Sequence, residues 1–263
     1  MQKINKIAIL FFTEDPASMT VQKQFLHYKD KLPSSVVMHT VQEIRPIFAD
    51  HVFRDVAADL YIFVTKHSSA AGVPSLTVHP PGNWFANDLG GERATLGVAP
   101  ALFLAEGLLK LEEINQRDNL QLEVVQECTH HGPTFLKPVF FIEIGSGPEQ
   151  YGNEQYGKVI AETIYSLVSS PVEKNLSKKK IAFGIGGTHY TPNFKKLILR
   201  ENYAFGHVCP KYQLEHLTLA MIQQALEKTI PAVEEIVVDW KGVGNKETIK
   251  LLLEKVTLPV RKI

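Results

Sequence analysis

The chain has 263 residues, with 28 basic and 28 acidic side chains and no formal net charge. Hydrophobic residues at 44% and charged residues at 21% are ordinary globular usage, which excludes a disordered chain. No window approaches 18 uninterrupted apolar residues, so no membrane span is expected. The only two cysteines, Cys128 and Cys209, exclude a disulfide framework and point to a reduced compartment, the cytoplasm.

The elements follow in chain order. Ile7–Phe12 is a continuous apolar run, too short for a signal sequence and typical of a buried strand. Asp15-Pro16 opens a helix with an apolar stripe at Val21, Phe25 and Tyr28. Val36–Val41, Leu60–Val64 and Ser75–Val78 read as strands, and residues 80–91 as a loop. Pro100–Gln116 has helical spacing at Leu104, Leu108 and Leu111. Leu122–Val125 and Val139–Ile144 are strands, and Glu149–Val168 one long helix. After a break at Ser169-Ser170-Pro171, Lys178, Lys179 and Lys180 lead into the strand Ile181–Gly184. Pro192–Leu199 and Leu214–Lys228 are helices around a strand at Tyr203–His207, and Ile236–Asp239 precedes a closing helix, Lys246–Glu254. This alternation predicts an α/β fold, a three-layer sandwich with a mixed, mostly parallel sheet, as one domain over 1–263.

Ten histidines are the unusual count, and six of them follow strand-like runs: His67, His79, His130, His131, His189 and His207. Ligands of open α/β sheets bind beyond strand carboxyl ends, so these six are expected on one rim. His27, His39, His51 and His216 lie in ordinary surroundings and carry no such expectation. Neutral imidazole is a common zinc ligand, and Glu127 and Glu143 stand where they could ligate or serve as a base. No HExxH or cysteine-pair spacing supports a metal independently.

Gly184-Ile185-Gly186-Gly187 exposes backbone amides that could stabilise an oxyanion or serve only as a tight turn. It is not a dinucleotide fingerprint, and Gly145-Ser146-Gly147 is not a serine-hydrolase elbow. Lys211, beside His207, could hold a phosphate or carboxylate. Trp84 and Phe85 could stack on a base or plug a core edge. The first 170 residues carry 13 basic against 19 acidic side chains, and the remaining 93 carry 15 against 9. A basic C-terminal third suits a phosphate-binding face.

LTVHPPGN (76–83), ECTHHGPT (127–134), FIEIGS (141–146), GIGGTHYTPNF (184–194) and GHVCPKYQL (206–214) together resemble the D-aminoacyl-tRNA deacylases of the archaeal and plant type. The resemblance runs nearly end to end; Thr65-Lys66-His67 replaces an expected Ser-Arg-His, and Gln150-Tyr151 a Glu-Trp. It implies a phosphorylase/hydrolase-like core and zinc-dependent hydrolysis of the ester between a D-amino acid and the tRNA 3′ end. On that basis the candidate zinc ligands are His67, His79, His130, His131 and His189, with His130, His131, His189, Glu127 and Glu143 as the catalytic set. His67, Gly186, Gly187, His207 and Lys211 are candidates for substrate contact, and the lysines at 178–180 for tRNA phosphates. The implied partner is tRNA, with no membrane, for a monomer or small homo-oligomer. Two rival readings stand: a zinc peptidase or amidase on small D-aminoacyl substrates, and a non-catalytic tRNA-binding module.

Overall fold

The structure, a computed structural model, describes residues 4–42, 44–169 and 179–263. Lys178 and the Ser170-Pro171 break lie outside those residues. The first half contains β1 (Ile7–Phe12), α1 (Pro16–Phe25), β2 (Val36–Val41), the one-turn α2 (Val52–Asp55), β3 (Leu60–Ser68) and β4 (Ser75–His79). Short pairings β5 (Gly82–Asn83), β6 (Thr95–Leu96) and β7 (Ala99–Pro100) lead to α3 (Ala101–Arg117), β8 (Glu123–Gln126) and β9 (Val139–Ser146). Then follow α4 (Pro148–Tyr151), α5 (Glu154–Ser169), β10 (Lys180–Ile185), α6 (Pro192–Glu201), β11 (Tyr203–Cys209) and α7 (Leu219–Glu227). The chain closes with β12 (Thr229–Ile230), β13 (Glu235–Val238), α8 (Lys246–Leu253) and β14 (Val260–Lys262).

The architecture is α/β with mostly parallel strands flanked by helices. The strands divide between two main sheets, of order β2-β1-β3-β9-β4-β8 and β11-β10-β13-β14. The second sheet is wholly parallel; in the first, β4 pairs antiparallel with β9, and β8 follows β4. The seam between the sheets is made by residues 126–129: the Gln126 amide donates to the Phe205 carbonyl at 2.9 Å and Thr129 N–H to the Val208 carbonyl at 3.0 Å.

Period-two alternation sorts the first sheet's side chains. Ile62, Val64, Leu76, Val78, Ile142 and Ile144 join a core that continues through both sheets and is roofed by α1, α3 and α5. Tyr61, Phe63, Val139 and Phe141 point the other way, into a smaller cluster with Phe12, Phe135, Ala49 and Val52. Among the described residues, α2, its flanking loops and the β8–β9 loop carrying Phe135 cover that face. Where this thin cover stops, a cavity of about 480 Å³ reaches the sheet.

Two predicted helices are broken. Between α4 and α5, the Asn153 carboxamide oxygen accepts from Gln155 N–H at 2.9 Å, capping a new helix after Gly152. Residues Lys211–His216 form a 3-10 turn, and Thr218 caps α7 by accepting from Met221 N–H at 3.2 Å. Among the described residues, no helix is long and apolar enough to cross a membrane.

Candidate active site

The site is built on the face of the first sheet and not along a rim of strand ends, as the reversed direction of β4 dictates. Three adjacent strands stack three polar or aromatic rows in register. Thr65, Glu143 and Thr77 are direct cross-strand neighbours on β3, β9 and β4. Two residues along lie His67, Gly145 and Ser75; two residues the other way lie Phe63, Phe141 and His79. Gly145 makes room: an added Cβ would collide with Ser75 and the His67 side chain. His79 lies flat on Phe141, with ring centres 4.9 Å apart and 7° between planes.

Glu143 is 3% exposed, and both its oxygens are held: Thr65 Oγ1 donates to Oε1 at 2.7 Å, and Thr77 Oγ1 to Oε2 at 3.3 Å. Burial alone would raise its pKa, but the adjacent His79, and then His67 and His131, hold it down at about 2. Glu127, just beyond β8, is fully buried. Its Oε1 is 3.0 Å from His67 Nδ1, and its Oε2 is 2.9 Å from His189 Nε2 and 3.5 Å from His130 Nε2. Burial pushes its pKa up too, and His189, His79 and His67 reverse that.

Three histidines share one arrangement. His79 Nδ1 faces the Pro80 carbonyl at 3.2 Å, His130 Nδ1 the Cys128 carbonyl at 2.9 Å, and His131 Nδ1 the Gly132 carbonyl at 2.6 Å. A carbonyl only accepts, so each Nδ1 carries the hydrogen, and Nε2 is the ring nitrogen left to face a ligand or a carboxylate. Ligand nitrogens of the three lie within 4.8 Å of one another. Burial, with the neighbouring imidazoles, drives His130 well below the ordinary histidine range and His131 to about 4. For His79 burial works the same way, but Glu143 and Glu127 outweigh it and raise the pKa.

His79 Nε2 and Glu127 Oε1 are buried with no hydrogen-bond partner among the described residues. His79 Nε2 is 3.3 Å from Glu143 and Glu127 Oε1 is 3.0 Å from His67 Nδ1, both out of hydrogen-bond alignment. Orphaned nitrogen and oxygen atoms converging beside two carboxylates are a donor set that fits zinc. His79, Glu127 and Glu143 form a second such group, and His67, Glu127 and His189 a third.

His189 lines the cavity and is 35% exposed at the side chain. Its Nδ1 meets Tyr212 Oη at 3.1 Å and Cys128 Sγ at 3.5 Å. Burial disfavours charge on this ring, but Cys128 and Glu127 outweigh it and raise its pKa to about 11. Thr65, Thr77, Cys128, Tyr190 and Tyr212 were not among the sequence candidates. The two threonines were legible: each stands two residues before a histidine of its strand and so on the same face.

Four candidates for substrate contact lie away from the cavity. His207 is fully buried in the seam, its Nδ1 3.0 Å from Thr129 Oγ1 and its Nε2 3.2 Å from the Gly97 carbonyl. Gly186 spends its amide on the Cys209 carbonyl at 2.8 Å, so that N–H is unavailable to an oxyanion. Gly187 packs toward Phe194 and Asp239, not toward the histidines. Both glycines have positive φ, so the tight-turn reading holds for them. Lys211 is exposed and outside the cavity lining. Lys179 and Lys180 pair with Glu106 at 3.6 Å and Glu235 at 2.7 Å. Trp84 plugs the core, donating to the Thr129 carbonyl at 3.1 Å, while Phe85 stays 37% exposed. Tyr151 is buried and donates to the His67 carbonyl at 2.9 Å, so it braces the histidine strand from behind.

An imidazole–carboxylate cluster flooring a cavity in an α/β fold is the make-up of a hydrolytic enzyme. Comparison with known proteins narrows the class. The family signature described as D-aminoacyl-tRNA deacylase matches residues 54–261. The D-aminoacyl-tRNA deacylase of Thermococcus kodakarensis is 38% identical over 214 residues, 79% of this chain and 75% of the relative. That of Methanocaldococcus jannaschii is 33% identical over 244 residues, 90% and 91% of the two chains. A solved structure, the conserved protein of unknown function AF0625, superposes with a TM-score of 0.89 at 27% identity, covering 98% of this chain and 95% of the other. The chain belongs to the D-aminoacyl-tRNA deacylase family.

Proposed function

We propose that this cluster hydrolyses the ester joining a D-amino acid to the 3′ end of tRNA, releasing free tRNA and the D-amino acid, with zinc as cofactor. The observation that supports it best is the convergence of ring nitrogens of His79, His130 and His131 within 4.8 Å of one another, with Glu143 3.3 Å from His79 and Glu127 3.5 Å from His130. Those three imidazoles would hold the ion, with the carboxylates alongside. Bound there, zinc would lower the pKa of water to about 7 and polarise the ester carbonyl.

The remaining residues handle protons and position. Water attacks the carbonyl carbon, and its proton passes to the His67–Glu127 pair, whose Oε1 has capacity to spare. His189, charged and partly exposed, gives a proton to the ribose oxygen as the ester C–O bond breaks, and Glu127 behind it steadies that charge. Glu143, fixed by two threonines and held ionised, balances the positive charge of the floor. On this reading the enzyme works in the cytoplasm, as a monomer or small homo-oligomer.

The test removes metal by exhaustive chelation and follows release of amino acid from matched D- and L-aminoacyl-tRNA. Release from the D-substrate should stop and return with added zinc, while the L-substrate stays intact throughout. Undiminished deacylation by metal-free protein would rule out the zinc role.

A further inference from the structure

Beside the cavity mouth, three planar side chains are stacked on the surface with no role in the chemistry described above. The Phe85 ring lies parallel to His216, with centres 4.1 Å apart and 11° between planes. The guanidinium carbon of Arg93 sits 3.9 Å from the centre of the same ring. Two groups at those distances cannot share one face, so Phe85 is sandwiched, and the stack ends outward in an imidazole and a guanidinium. Among the described residues, no carboxylate pairs with Arg93. Its charge and one planar face remain open.

The stack is tied to the cavity along both of its chain segments. Leu89, four residues beyond Phe85, is 56% exposed and lines the cavity. Tyr212, four residues before His216 in the same 3-10 turn, meets the cavity residue His189 at 3.1 Å. At the rise of such a turn the two backbone positions are about 8 Å apart along its axis. The loop carrying Phe85 is held firmly: the Asn83 amide donates to the Gly90 and Glu92 carbonyls at 2.8 and 3.1 Å, and Ala94 N–H to the Phe85 carbonyl at 2.9 Å. A platform already ordered loses little entropy on binding.

We infer that the His216–Phe85–Arg93 stack docks the unpaired 3′-terminal nucleotides of tRNA and delivers the ester into the cavity. This rests on the reaction proposed above. Single-stranded RNA is held by bases stacking on aromatic rings and arginine planes, and each base has a π-face to offer. The fixed positive charge of the plate is Arg93, which suits a phosphate, while Glu215 lies 3.6 Å from His216 at the other end. Exposed Lys211 opens the same 3-10 turn and is placed for a phosphate of the same strand.

The experiment measures binding of uncharged tRNA by fluorescence anisotropy, with intact tRNA and with the same tRNA trimmed of its unpaired 3′ nucleotides. R93A should bind intact tRNA ~5- to 100-fold more weakly than wild type, the range for losing a base stack, and bind trimmed tRNA as wild type does. R93K keeps the charge but not the plane, and should recover no more than a minor part of the loss. H216A should weaken intact tRNA in the same sense. Thermal melting of each variant establishes that it is folded. Wild-type affinity in R93A, full recovery in R93K, or an equal loss on trimmed tRNA would each overturn the inference. Binding of uncharged tRNA does not depend on hydrolysis. A protein that releases no D-amino acid but shows the R93A loss removes the proposed reaction alone; one that deacylates without that loss removes the docking platform alone.

Discussion

His207 offers a test of the seam between the two sheets. Val208 N–H donates to Thr129 Oγ1 at 3.1 Å, so the Thr129 hydroxyl hydrogen is free to donate to His207 Nδ1 at 3.0 Å. The remaining ring nitrogen, Nε2, carries the hydrogen and donates to the Gly97 carbonyl at 3.2 Å. Every partner is satisfied by the neutral ring, and a proton added at Nδ1 would face the threonine hydrogen. Burial accordingly depresses the pKa from 6.5 to about 3. The unfolded chain therefore binds this proton more readily than the folded one. Stability is complete above pH 6.5 and is lost progressively as pH falls toward 3. At about 1.4 kcal/mol per pH unit, the loss by pH 5 is about 2 kcal/mol. The perturbation is His207→Gln, which retains a donor and an acceptor but does not titrate. Urea unfolding followed by circular dichroism at pH 7 and pH 5 gives four stabilities. Whatever the variant costs at pH 7, its drop between the two pH values should be smaller than wild type's by about 2 kcal/mol. Parallel drops in the two proteins would refute the buried neutral ring.

Two further outcomes follow from the geometry. His79→Ala removes one of the three converging imidazoles, and bound zinc, measured by elemental analysis after dialysis, should fall below the wild-type stoichiometry with the far-ultraviolet spectrum unchanged. Retention of full zinc would take His79 out of the ligand set. Gly206→Ala places a methyl group against the Thr229 side chain, where strand β11 passes β12, and should cost about 1–3 kcal/mol by overpacking. An unchanged urea midpoint would show that the Thr229 side chain simply moves aside.

Local signals were legible wherever a single element settled the matter. The apolar run Ile7–Phe12, the Asp15-Pro16 start of α1 and the stripe along α3 all sit where the sequence puts them. Asp15 in fact caps α1, accepting from Ser18 N–H at 3.0 Å. Both broken helices run through capping residues, Asn153 and Thr218, with hydrophobic periodicity continuing on either side. The pairing of strands was not legible. That β4 runs against β9, and that β10 and β11 leave for a second sheet, depends on contacts between residues tens of positions apart. Five of the six candidate histidines meet in the cluster, although the rim argument assumes strands all running one way. His207 was drawn in by its position after a strand, and only the packing of Thr129 and Gly97 around it shows that the ring is used up.

The three aligned rows under the cavity bear on more than chemistry. Glu143 lies between Ile142 and Ile144, which are sealed beneath the helices. Sliding β9 by one position against its neighbours would turn the carboxylate into that oily layer and lift two isoleucines among the imidazoles. A mispaired strand would therefore be penalised on both sides of the sheet at once. The polar row acts as a key that only the correct alignment admits, so the groups that serve the substrate also proofread the assembly of the sheet that carries them.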